Sequence, residues 1–264
     1  MPENDLSLLI EAAKEAGEIA QSYWQAHPQT WEKPGDQGPV TEADLAVDAM
    51  LARELRGARP GYGWLSEESE NDPARLSTEH VFIVDPIDGT RAFIAGEDHW
   101  SHSLAIARNG AVTAAVVYLP VLGKMYGASL GGGATLNGAP MRASVRGGAD
   151  GATVLGAKPN FEAARWPGGM PDLRRHFRPS LAYRMALVAE GRFDAMISLR
   201  DTWEWDVAAG ALLVAEAGAA VSDRHGAPVL FNNPHPALRG MLAGGKEVHR
   251  EMAARLSPQP GQSA

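Results

Sequence analysis

The sequence predicts an α/β protein in which an N-terminal α+β half precedes a C-terminal α/β half. Two amphipathic helical segments come first, at residues 5–26 and 41–58. Strand-like runs follow over residues 80–138, separated in part by Asn-Gly turns. Beyond residue 150, strands and helices alternate, which is the order typical of an α/β unit.

The first helix is predicted from Asp5 to about Ala26, where leucine, isoleucine and alanine recur at helical spacing. The stretch "WEKPGDQGPV" (31–40) is rich in proline and glycine, so we expect a loop there. The next helix is predicted to begin at Thr41, because a threonine followed by acidic residues is a typical helix start.

Residues 80–138 carry the strands of the predicted N-terminal half. The run "HVFIVD" (80–85) is apolar and mostly β-branched, which suits a buried strand. Residues 102–138 then alternate strand-like runs with turns at Asn109-Gly110 and Asn137-Gly138. Because Asn-Gly is a preferred pair for tight hairpin turns, we expect an antiparallel meander.

The stretch "RASVRGGADG" (142–151) indicates a boundary between the two halves. We assign residues 1–145 to the N-terminal α+β half and residues 146–264 to the C-terminal α/β half, packed as one compact unit. In the second half, the strands "TVLGA" and "FDAMISL" alternate with the helices "SLAYRMALVAEG" and "DVAAGALLVAEAG". The tail "SPQPGQSA" (257–264) is predicted to be disordered.

Composition excludes several classes of protein. The 264 residues carry a formal net charge of -8, whereas a protein that binds the backbone of DNA or RNA needs a basic surface. The chain has no cysteine, so disulfides, zinc–thiolate sites and cysteine nucleophiles are excluded. It shows neither a signal-peptide core nor an apolar run of membrane-spanning length. We therefore expect a cytoplasmic protein with no nucleic-acid polymer and no membrane as partner.

Two aspartates three residues apart, Asp85 and Asp88, follow the predicted strand at 80–85. We expect Pro86 to stop further strand pairing and to bend the chain. Asp88 would then fall close to Asp85, so that two carboxylates leave the end of one core strand together.

The rest of the same motif, "DPIDGT" (85–90), supplies further oxygen and nitrogen groups. Ile87 can bury its side chain while its carbonyl turns outward, and Mg2+ prefers carboxylate, carbonyl and hydroxyl oxygens. Gly89 and Thr90 stand where a helix could begin, and free N–H groups at a helix start bind phosphate. A structural Asx-type turn is the simpler interpretation of this stretch taken alone.

Two other segments place acidic residues near apolar runs. "GWLSEESEN" contains Glu67 and Glu68, and "WEWDVAAGALLVAEAG" places Asp206 at the start of an apolar helix. Taken singly, each has a structural explanation, since adjacent glutamates in a loop are commonly solvated and an aspartate at a helix start commonly caps it.

Together the three segments resemble the signatures of the inositol monophosphatase superfamily, a group of metal-dependent, lithium-sensitive phosphatases. The signatures stand here as "LSEES" (65–69), "DPIDGT" (85–90) and "WDVAAG" (205–210), in the family's order and at about its separations. The resemblance runs from the first helix to about residue 245. It implies a layered αβαβα sandwich with the active site in a cleft between the halves, and a homodimer.

The resemblance also implies a set of metal ligands and two or three Mg2+ ions. Glu67, Asp85 and the carbonyl of Ile87 would hold one ion, and Asp85, Asp88 and Asp206 would hold a second. A third and weaker ion would lie near Glu67. Without ions, four carboxylates in one cleft would repel one another or take up protons.

Further roles follow from the same resemblance. Gly89 and Thr90 would bind the phosphate of the substrate. Asp44, in "TEAD", matches the acidic residue that pairs with the threonine, so Thr90 and Asp44 would orient the attacking water. The implied reaction is hydrolysis of a small phosphate monoester by a metal-activated water.

Three more polar residues have roles that the sequence leaves open. Lys33 falls where some relatives carry a lysine near the site. His99 and His102 are either metal ligands or polar side chains packed near the cleft. A protein of another class, a catalytically degenerate binder of a phosphorylated ligand, is the alternative to an enzyme, although the complete carboxylate set argues against it.

The substrate is predicted from two departures from the inositol-specific pattern. Leu199 stands where such members carry a glutamate, and the chain reads "DGTRAF" rather than "DGTTNF". Arg184 stands where the similar bisphosphate nucleotidases carry a lysine; it could hold a second phosphate by a bidentate contact, or be a surface or ion-pairing residue. We predict a 3′(2′),5′-bisphosphate nucleotidase acting on adenosine 3′,5′-bisphosphate, with inositol-1-monophosphatase or histidinol-phosphatase activity as alternatives.

Overall fold

The structure is a computed structural model that describes residues 4–36 and 38–256. Within these residues the helices are α1 (Asp5–Tyr23), α2 (Glu42–Ala58), α3 (Thr90–Ile94), α4 (Leu181–Ala189), α5 (Glu204–Glu216) and α6 (Lys246–Leu256). None of them combines the length and the hydropathy needed to cross a lipid bilayer. The predicted disordered tail, residues 257–264, lies outside the described residues.

The larger sheet has seven strands in sequence order, from β3 to β9. Its members are β3 (Gly63–Ser66), β4 (His80–Asp88), β5 (Ser101–Arg108), β6 (Ala111–Leu119), β7 (Lys124–Ser129), β8 (Gly133–Leu136) and β9 (Ala139–Pro140). Only the β3–β4 pair is parallel; the pairs from β4 to β9 are antiparallel, so the predicted meander is confirmed.

Both predicted Asn-Gly turns are tight hairpins with left-handed backbone. Asn109 and Gly110 have φ of 49° and 85°, and Asn137 and Gly138 have φ of 50° and 80°. Positive φ at both central residues is the geometry that matches the twist of the flanking strands, and Asn-Gly adopts it at low cost.

A second sheet has five strands in the order β11-β10-β12-β16-β14. The remaining strands form two small pairs, β1–β2 and β13–β15. Their bounds are β1 (Thr30–Glu32), β2 (Pro39–Thr41), β10 (Thr153–Leu155), β11 (Arg174–His176), β12 (Ala195–Ser198), β13 (Thr202–Trp203), β14 (Ala220–Ser222), β15 (Ala237–Leu238) and β16 (Met241–Gly244).

The helices alternate with the two sheets to give five layers. Alternate residues of β4 face opposite sides of the larger sheet: Phe82 and Val84 pack with α1 and α2, whereas Val81 and Ile83 pack with α4 and α5. Burial on both faces explains why this strand is continuously apolar. The pair α4 and α5 also covers one face of the five-stranded sheet, and α6 packs on its other face. The layer order is therefore αβαβα, and the predicted fold class is confirmed.

Two local predictions are wrong. The stretch 31–40, predicted as a loop, forms part of the β1–β2 hairpin, because Trp31 and Glu32 pair with Val40 and Pro39. Pairing of β4 with β5 also continues past Pro86 to Asp88, with a register irregularity between Asp85 and Asp88. A proline lacks only the backbone N–H donor, so a bulge at that point is enough to accommodate it in the strand.

The contact between α4 and α5 is close enough to require a glycine. A Cβ added at Gly210 of α5 would lie 2.5 Å from the Cβ of Met185 in α4. Gly57, by contrast, lies in α2 with open space around it.

We therefore expect Gly210→Ala to lower the free energy of unfolding by about 1–3 kcal/mol through overpacking. The matched variant Gly57→Ala should leave it unchanged or raise it by up to about 1 kcal/mol, since alanine favours a helix. Urea denaturation of both variants measures the difference. A Gly210→Ala protein as stable as the Gly57→Ala protein would contradict the close approach of α4 and α5.

Candidate metal and phosphate site

Three aspartates converge between the two sheets. Asp85 and Asp88 lie at the end of β4, and Asp206 lies in the first turn of α5. Each offers one carboxylate oxygen, and these oxygens all lie within 4.8 Å of one another. The structure thus brings together three of the four carboxylates, Glu67 being the fourth, that the resemblance implies as metal ligands.

The irregular end of β4 is fixed by contacts from the neighbouring strand and helix. His102 of β5 holds the Pro86 carbonyl through its Nδ1, and Ile87 is fully buried. The Ile87 carbonyl accepts a hydrogen bond from the Thr90 hydroxyl at 3.2 Å. The backbone between Asp85 and Asp88 is therefore held from both sides, which sets the relative positions of the two carboxylates.

The ionised form of Asp85 is destabilised by its surroundings. Burial raises the pKa of its carboxyl group, and the nearby charges of Glu67, Asp88 and Asp206 raise it further. Its Oδ1 is buried without a hydrogen-bond partner among the described residues. A divalent cation supplies what this atom lacks, because it both coordinates the oxygen and compensates the charge.

Asp206 has a similar environment. Burial raises its pKa, and the charges of Asp88 and Glu67 act in the same direction. Closely spaced carboxylates of this kind, made only of oxygen donors, fit a hard divalent ion. The residues present therefore fit the metal dependence that the sequence predicts.

Asp88 is tied to the start of α4. Its Oδ2 accepts hydrogen bonds of 2.6 Å from both the Ser180 hydroxyl and the backbone N–H of Ala182. Burial raises the pKa of Asp88 to about 6, although these hydrogen bonds act to lower it. Asp88 thus joins the end of β4 to a helix of the next layer.

Sequence reasoning did not identify Ser180 as part of the site. Its hydroxyl caps α4 by accepting from the Tyr183 N–H, and it donates to Asp88. A serine immediately before an apolar helical run is a cap signal, so that half of its role was visible in the sequence. The hydrogen bond to Asp88 joins residues 92 positions apart, so no local signal in the sequence indicated it.

Glu67 lies beside this cluster and pairs with Lys33. The Nζ of Lys33 lies 2.5 Å from Oε1 of Glu67 and 2.8 Å from Oε1 of Glu68. Burial alone would lower the pKa of Lys33, but the two glutamates outweigh it and raise the pKa. Burial and the charge of Glu67 raise the pKa of Glu68 to about 7. The β1–β2 hairpin therefore brings a cation to the edge of the site.

Gly89, Thr90 and Asp44 lie next to one another on the other side of the motif. Gly89 has φ 100°, a left-handed conformation that favours glycine, and it precedes α3. The hydroxyl of Thr90 lies 3.4 Å from Oδ1 of Asp44. The other oxygen of Asp44 accepts from the N–H and the hydroxyl of Thr41, at 2.9 and 2.6 Å. Burial raises the pKa of Asp44 to about 6.

The remaining polar candidates lie around the cluster rather than in it. His102 is fully buried behind the motif, and burial lowers its pKa to about 4, so its ring is neutral near pH 7. His99 pairs with Asp98 at 2.9 Å and stacks on Tyr183. Neither histidine belongs to the group of metal-capable side chains found among residues 4–36 and 38–256.

Arg184 lies in α4 and is buried, with 8% of its surface exposed, and its side chain contacts the segment that precedes this helix. Its Nε donates to the Arg178 carbonyl at 2.6 Å, and one terminal nitrogen donates to the Pro179 carbonyl at 3.3 Å. Its guanidinium lies 4.5 Å from the ring centre of Phe177. These contacts explain why an arginine stands at this position even if the substrate carries no second phosphate.

Comparison with known proteins identifies the relatives of this chain. A sequence model of the inositol monophosphatase family matches residues 1–260. An inositol-1-monophosphatase of Rhizobium meliloti is 34% identical over 84% of this chain and 86% of that protein. The Nus factor SuhB of Escherichia coli is 32% identical over 95% of both chains. Among solved structures, the IMPase of Thermotoga maritima has a TM-score of 0.82 at 28% identity, covering 95% and 96% of the two chains.

The chain therefore belongs to the inositol monophosphatase family. Membership of this family, together with the acidic cluster, makes it a metal-dependent phosphoric monoester hydrolase that acts on a small phosphorylated substrate.

The raised carboxyl pKa values predict how stability depends on pH when the metal is removed. Asp44 and Asp88 have a pKa of about 6 and Glu68 of about 7, against ordinary pKa values of 3.8 for aspartate and 4.5 for glutamate. Between about pH 4 and pH 7, these three carboxyl groups then hold more protons in the folded protein than in the unfolded chain. Stability from these groups is present at low pH and is lost as the pH rises.

We therefore expect the free energy of unfolding, measured by urea denaturation in chelator, to decrease from pH 4 to pH 7. Added Mg2+ should reduce or reverse this slope, because a cation favours the ionised carboxylates. The variant Asp85→Asn should lessen the slope in chelator by removing one of the repelling charges. Stability in chelator that rises between pH 4 and pH 7 would contradict this account of the cluster.

Proposed function

We propose that this member of the family is a Mg2+-dependent phosphatase that uses two or three ions to hydrolyse a small phosphate ester. The observation that carries the proposal is the cluster of the buried Asp85 and Asp88 with the half-buried Asp206, in which Oδ1 of Asp85 has no hydrogen-bond partner among the described residues. Structural carboxylates of this kind are normally paired with cations or hydrogen-bond donors, because an isolated buried charge is costly.

The ligands divide between two principal ions. Glu67, Asp85 and the carbonyl of Ile87 would hold one, and Asp85, Asp88 and Asp206 would hold the other. A third and weaker ion would lie near Glu67. When bound, divalent ions neutralise the phosphate and make an attacking water more acidic. The protein contributes fixed positions for these ligands, since Asp88 is already held by Ser180 and Ala182.

Asp44 and Thr90 are proposed to orient the attacking water. Asp44 is fully buried, and Thr41 fixes its Oδ2, which leaves Oδ1 directed at the Thr90 hydroxyl. A hydroxyl held between a carboxylate and the Ile87 carbonyl has a defined direction, so it can hold a water in one orientation. The backbone of Gly89 and Thr90 would bind the phosphate.

Adenosine 3′,5′-bisphosphate is our first candidate substrate. Leu199, at the position where inositol-specific members carry a glutamate, is buried in the core formed with α6. A buried leucine offers no polar group to a polyol hydroxyl. The leucine therefore favours a substrate that is bound through groups other than polyol hydroxyls.

Inositol 1-phosphate is the second candidate. Two relatives, from Rhizobium meliloti and Mesorhizobium japonicum, are named inositol-1-monophosphatase and are 34% and 30% identical to this chain. Histidinol phosphate remains a third candidate from the sequence pattern. A substrate panel with Mg2+, containing these three esters, ranks them directly by kcat/KM.

The variant Asp88→Asn tests the site itself. It removes one charge from the cluster while keeping the side-chain shape, so kcat should fall about 100-fold or more. The exposed Asp172→Asn is the matched control, and it should keep wild-type activity. Removing the metal with chelator should abolish activity and Mg2+ should restore it, and we expect Li+ to inhibit.

Two outcomes would contradict the proposal in different ways. Full activity of Asp88→Asn, or full activity in excess chelator, would place the chemistry elsewhere. A wild-type protein that binds phosphate esters in Mg2+ but hydrolyses none of the panel would instead identify a degenerate binder.

Arg184 requires its own variant, because its proposed role in holding a second phosphate competes with a structural role. Arg184→Met keeps the apolar stem but loses the hydrogen bonds to Arg178 and Pro179 and the contact with Phe177. A structural arginine predicts a loss of about 2 kcal/mol in unfolding free energy. It also predicts equal losses of kcat/KM on mono- and bisphosphates, whereas a selective loss on the bisphosphate would assign the second phosphate to Arg184.

A further inference from the structure

The four carboxylates implied as metal ligands are not all held in the same way. The three aspartates of the cluster lie on β4 and α5, whereas Glu67 follows the end of β3 in a segment with no helix or strand. The Glu67 side chain pairs with Lys33 through its carboxylate. The direction of its backbone depends on what holds residues 66–69.

A buried aspartate of α2, Asp48, holds this segment at both ends. The hydroxyl of Ser66 donates to Oδ1 of Asp48 at 2.5 Å, and the hydroxyl of Ser69 donates to Oδ2 at 2.7 Å. Both lengths are typical of a hydroxyl that donates to an ionised carboxylate. One carboxylate therefore bridges the residues on either side of Glu67 and Glu68.

The sheet holds the first part of the segment beside Asp85. The N–H of Glu67 donates to the Val84 carbonyl at 3.1 Å, and Val84 immediately precedes Asp85 in β4. Because β3 and β4 are parallel, with Ser66 paired to Val84, their carboxyl ends lie at the same edge of the sheet. Asp48 thus fixes the path of a segment that leaves the sheet next to Asp85.

Asp48 and Asp44 lie one turn apart on the same face of α2. Oδ1 of Asp44 lies 3.4 Å from the Thr90 hydroxyl, so the two aspartates contact two different parts of the site. The apolar side chains of α2 pack with those of β4, which carries Asp85. The helix therefore sets the separation between Thr90 and the segment that contains Glu67.

The residue type at position 48 suits this orienting role. Asp48 is buried, and within residues 4–36 and 38–256 it forms no ion pair. A buried carboxylate without a cation costs more free energy than a neutral side chain at a purely structural contact. Its two oxygens, however, accept from two hydroxyl groups at once, which the single oxygen of an amide cannot do with the same geometry.

We propose that Asp48 is a positioning residue of the metal site, which holds residues 66–69 so that Glu67 and Asp85 can ligate the same ion. This inference rests on the proposed function, because it assigns Glu67 to a metal. Asp48 itself contacts neither metal nor substrate; it acts through the hydroxyls of Ser66 and Ser69.

The test is the binding of Mg2+ alone to the full-length, metal-free protein, measured by isothermal titration calorimetry. Asp48→Ala removes both hydrogen bonds, so the Mg2+ affinity should fall about tenfold or more, since residues that orient metal ligands typically contribute at least that much. Ser69→Ala removes one bond and should cause a smaller loss. Asp48→Asn keeps one acceptor oxygen, so its affinity should lie between those of the wild type and Asp48→Ala.

Ser144→Ala is the matched control for a general loss of stability. The Ser144 hydroxyl donates to Asp194 at 2.6 Å, a bond of the same type that includes no residue of the site. Urea denaturation should show similar losses of stability for Ser144→Ala and Ser69→Ala, because each removes one hydroxyl–carboxylate bond. Only Ser69→Ala should weaken Mg2+ binding, whereas a purely structural role of Asp48 predicts the wild-type affinity for both.

The double variant Asp48→Ala/Ser69→Ala tests whether the two residues act together. If Ser69 acts through Asp48, Ser69→Ala should cause little further loss of Mg2+ affinity once Asp48 is alanine. Additive losses would assign separate roles to the two residues and would overturn the inference. If Asp48→Ala does not fold, Ser69→Ala and Asp48→Asn decide the question by the same measurement.

Failure of the proposed function gives a different result from failure of this inference. A wild-type protein that binds no Mg2+ would contradict the metal site, and the role of Asp48 would be rejected with it. A wild-type protein that binds Mg2+ with the same affinity as the Asp48 and Ser69 variants would reject the role of Asp48 alone and leave the phosphatase proposal standing.

Discussion

The mutual repulsion of the carboxylates between the two sheets is the constraint on which the site depends. Asp85, Asp88 and Asp206 place oxygens within 4.8 Å of one another, and Glu67 adds a fourth charge nearby. At such separations in a partly desolvated space, like charges repel by several kcal/mol unless they are protonated or neutralised. Ion binding converts this cost into affinity, because each divalent cation relieves repulsion as well as forming coordinate bonds.

The layers of the fold hold these charges together against their repulsion. Asp85 and Asp88 belong to β4, whose apolar residues are buried on both sides, so the strand cannot move without disturbing two cores. Asp206 lies in the first turn of α5, which packs against the same sheet, and the Ser103 hydroxyl of β5 donates to the carbonyl of the neighbouring Trp205. Asp88 is linked to α4 through Ser180. The packing of three layers therefore opposes the repulsion among the carboxylates, which acts only within the site.

Much of this arrangement could be predicted from the sequence because its signals are local. The helical spacing of α1 and α2, the Thr41 cap and the two Asn-Gly turns each depend on a few neighbouring residues. The β1–β2 hairpin was missed because proline and glycine also occur at strand ends, and its pairing depends on partners about ten residues away. Continued pairing through Asp88 was missed because a bulge is a property of two strands. For the site, residue types indicated the metal ligands, whereas the burial of Arg184 depends on tertiary contacts that its sequence neighbours do not show.

The cationic side chains around the cluster do not occupy the oxygens that would bind the metal. Among the described residues, no lysine or arginine forms an ion pair with Asp85, Asp88 or Asp206. Lys33 is held at the edge by Glu67 and Glu68, and Arg184 by backbone carbonyls. An arginine paired directly with Asp85 would neutralise the cluster and compete with an ion for the same oxygens. Lys33 and Arg184 lie near the cluster without pairing with its aspartates, so the aspartate oxygens stay available to an ion. Their positive charge still lowers the free-energy cost of holding a negatively charged phosphate ester close to four carboxylates.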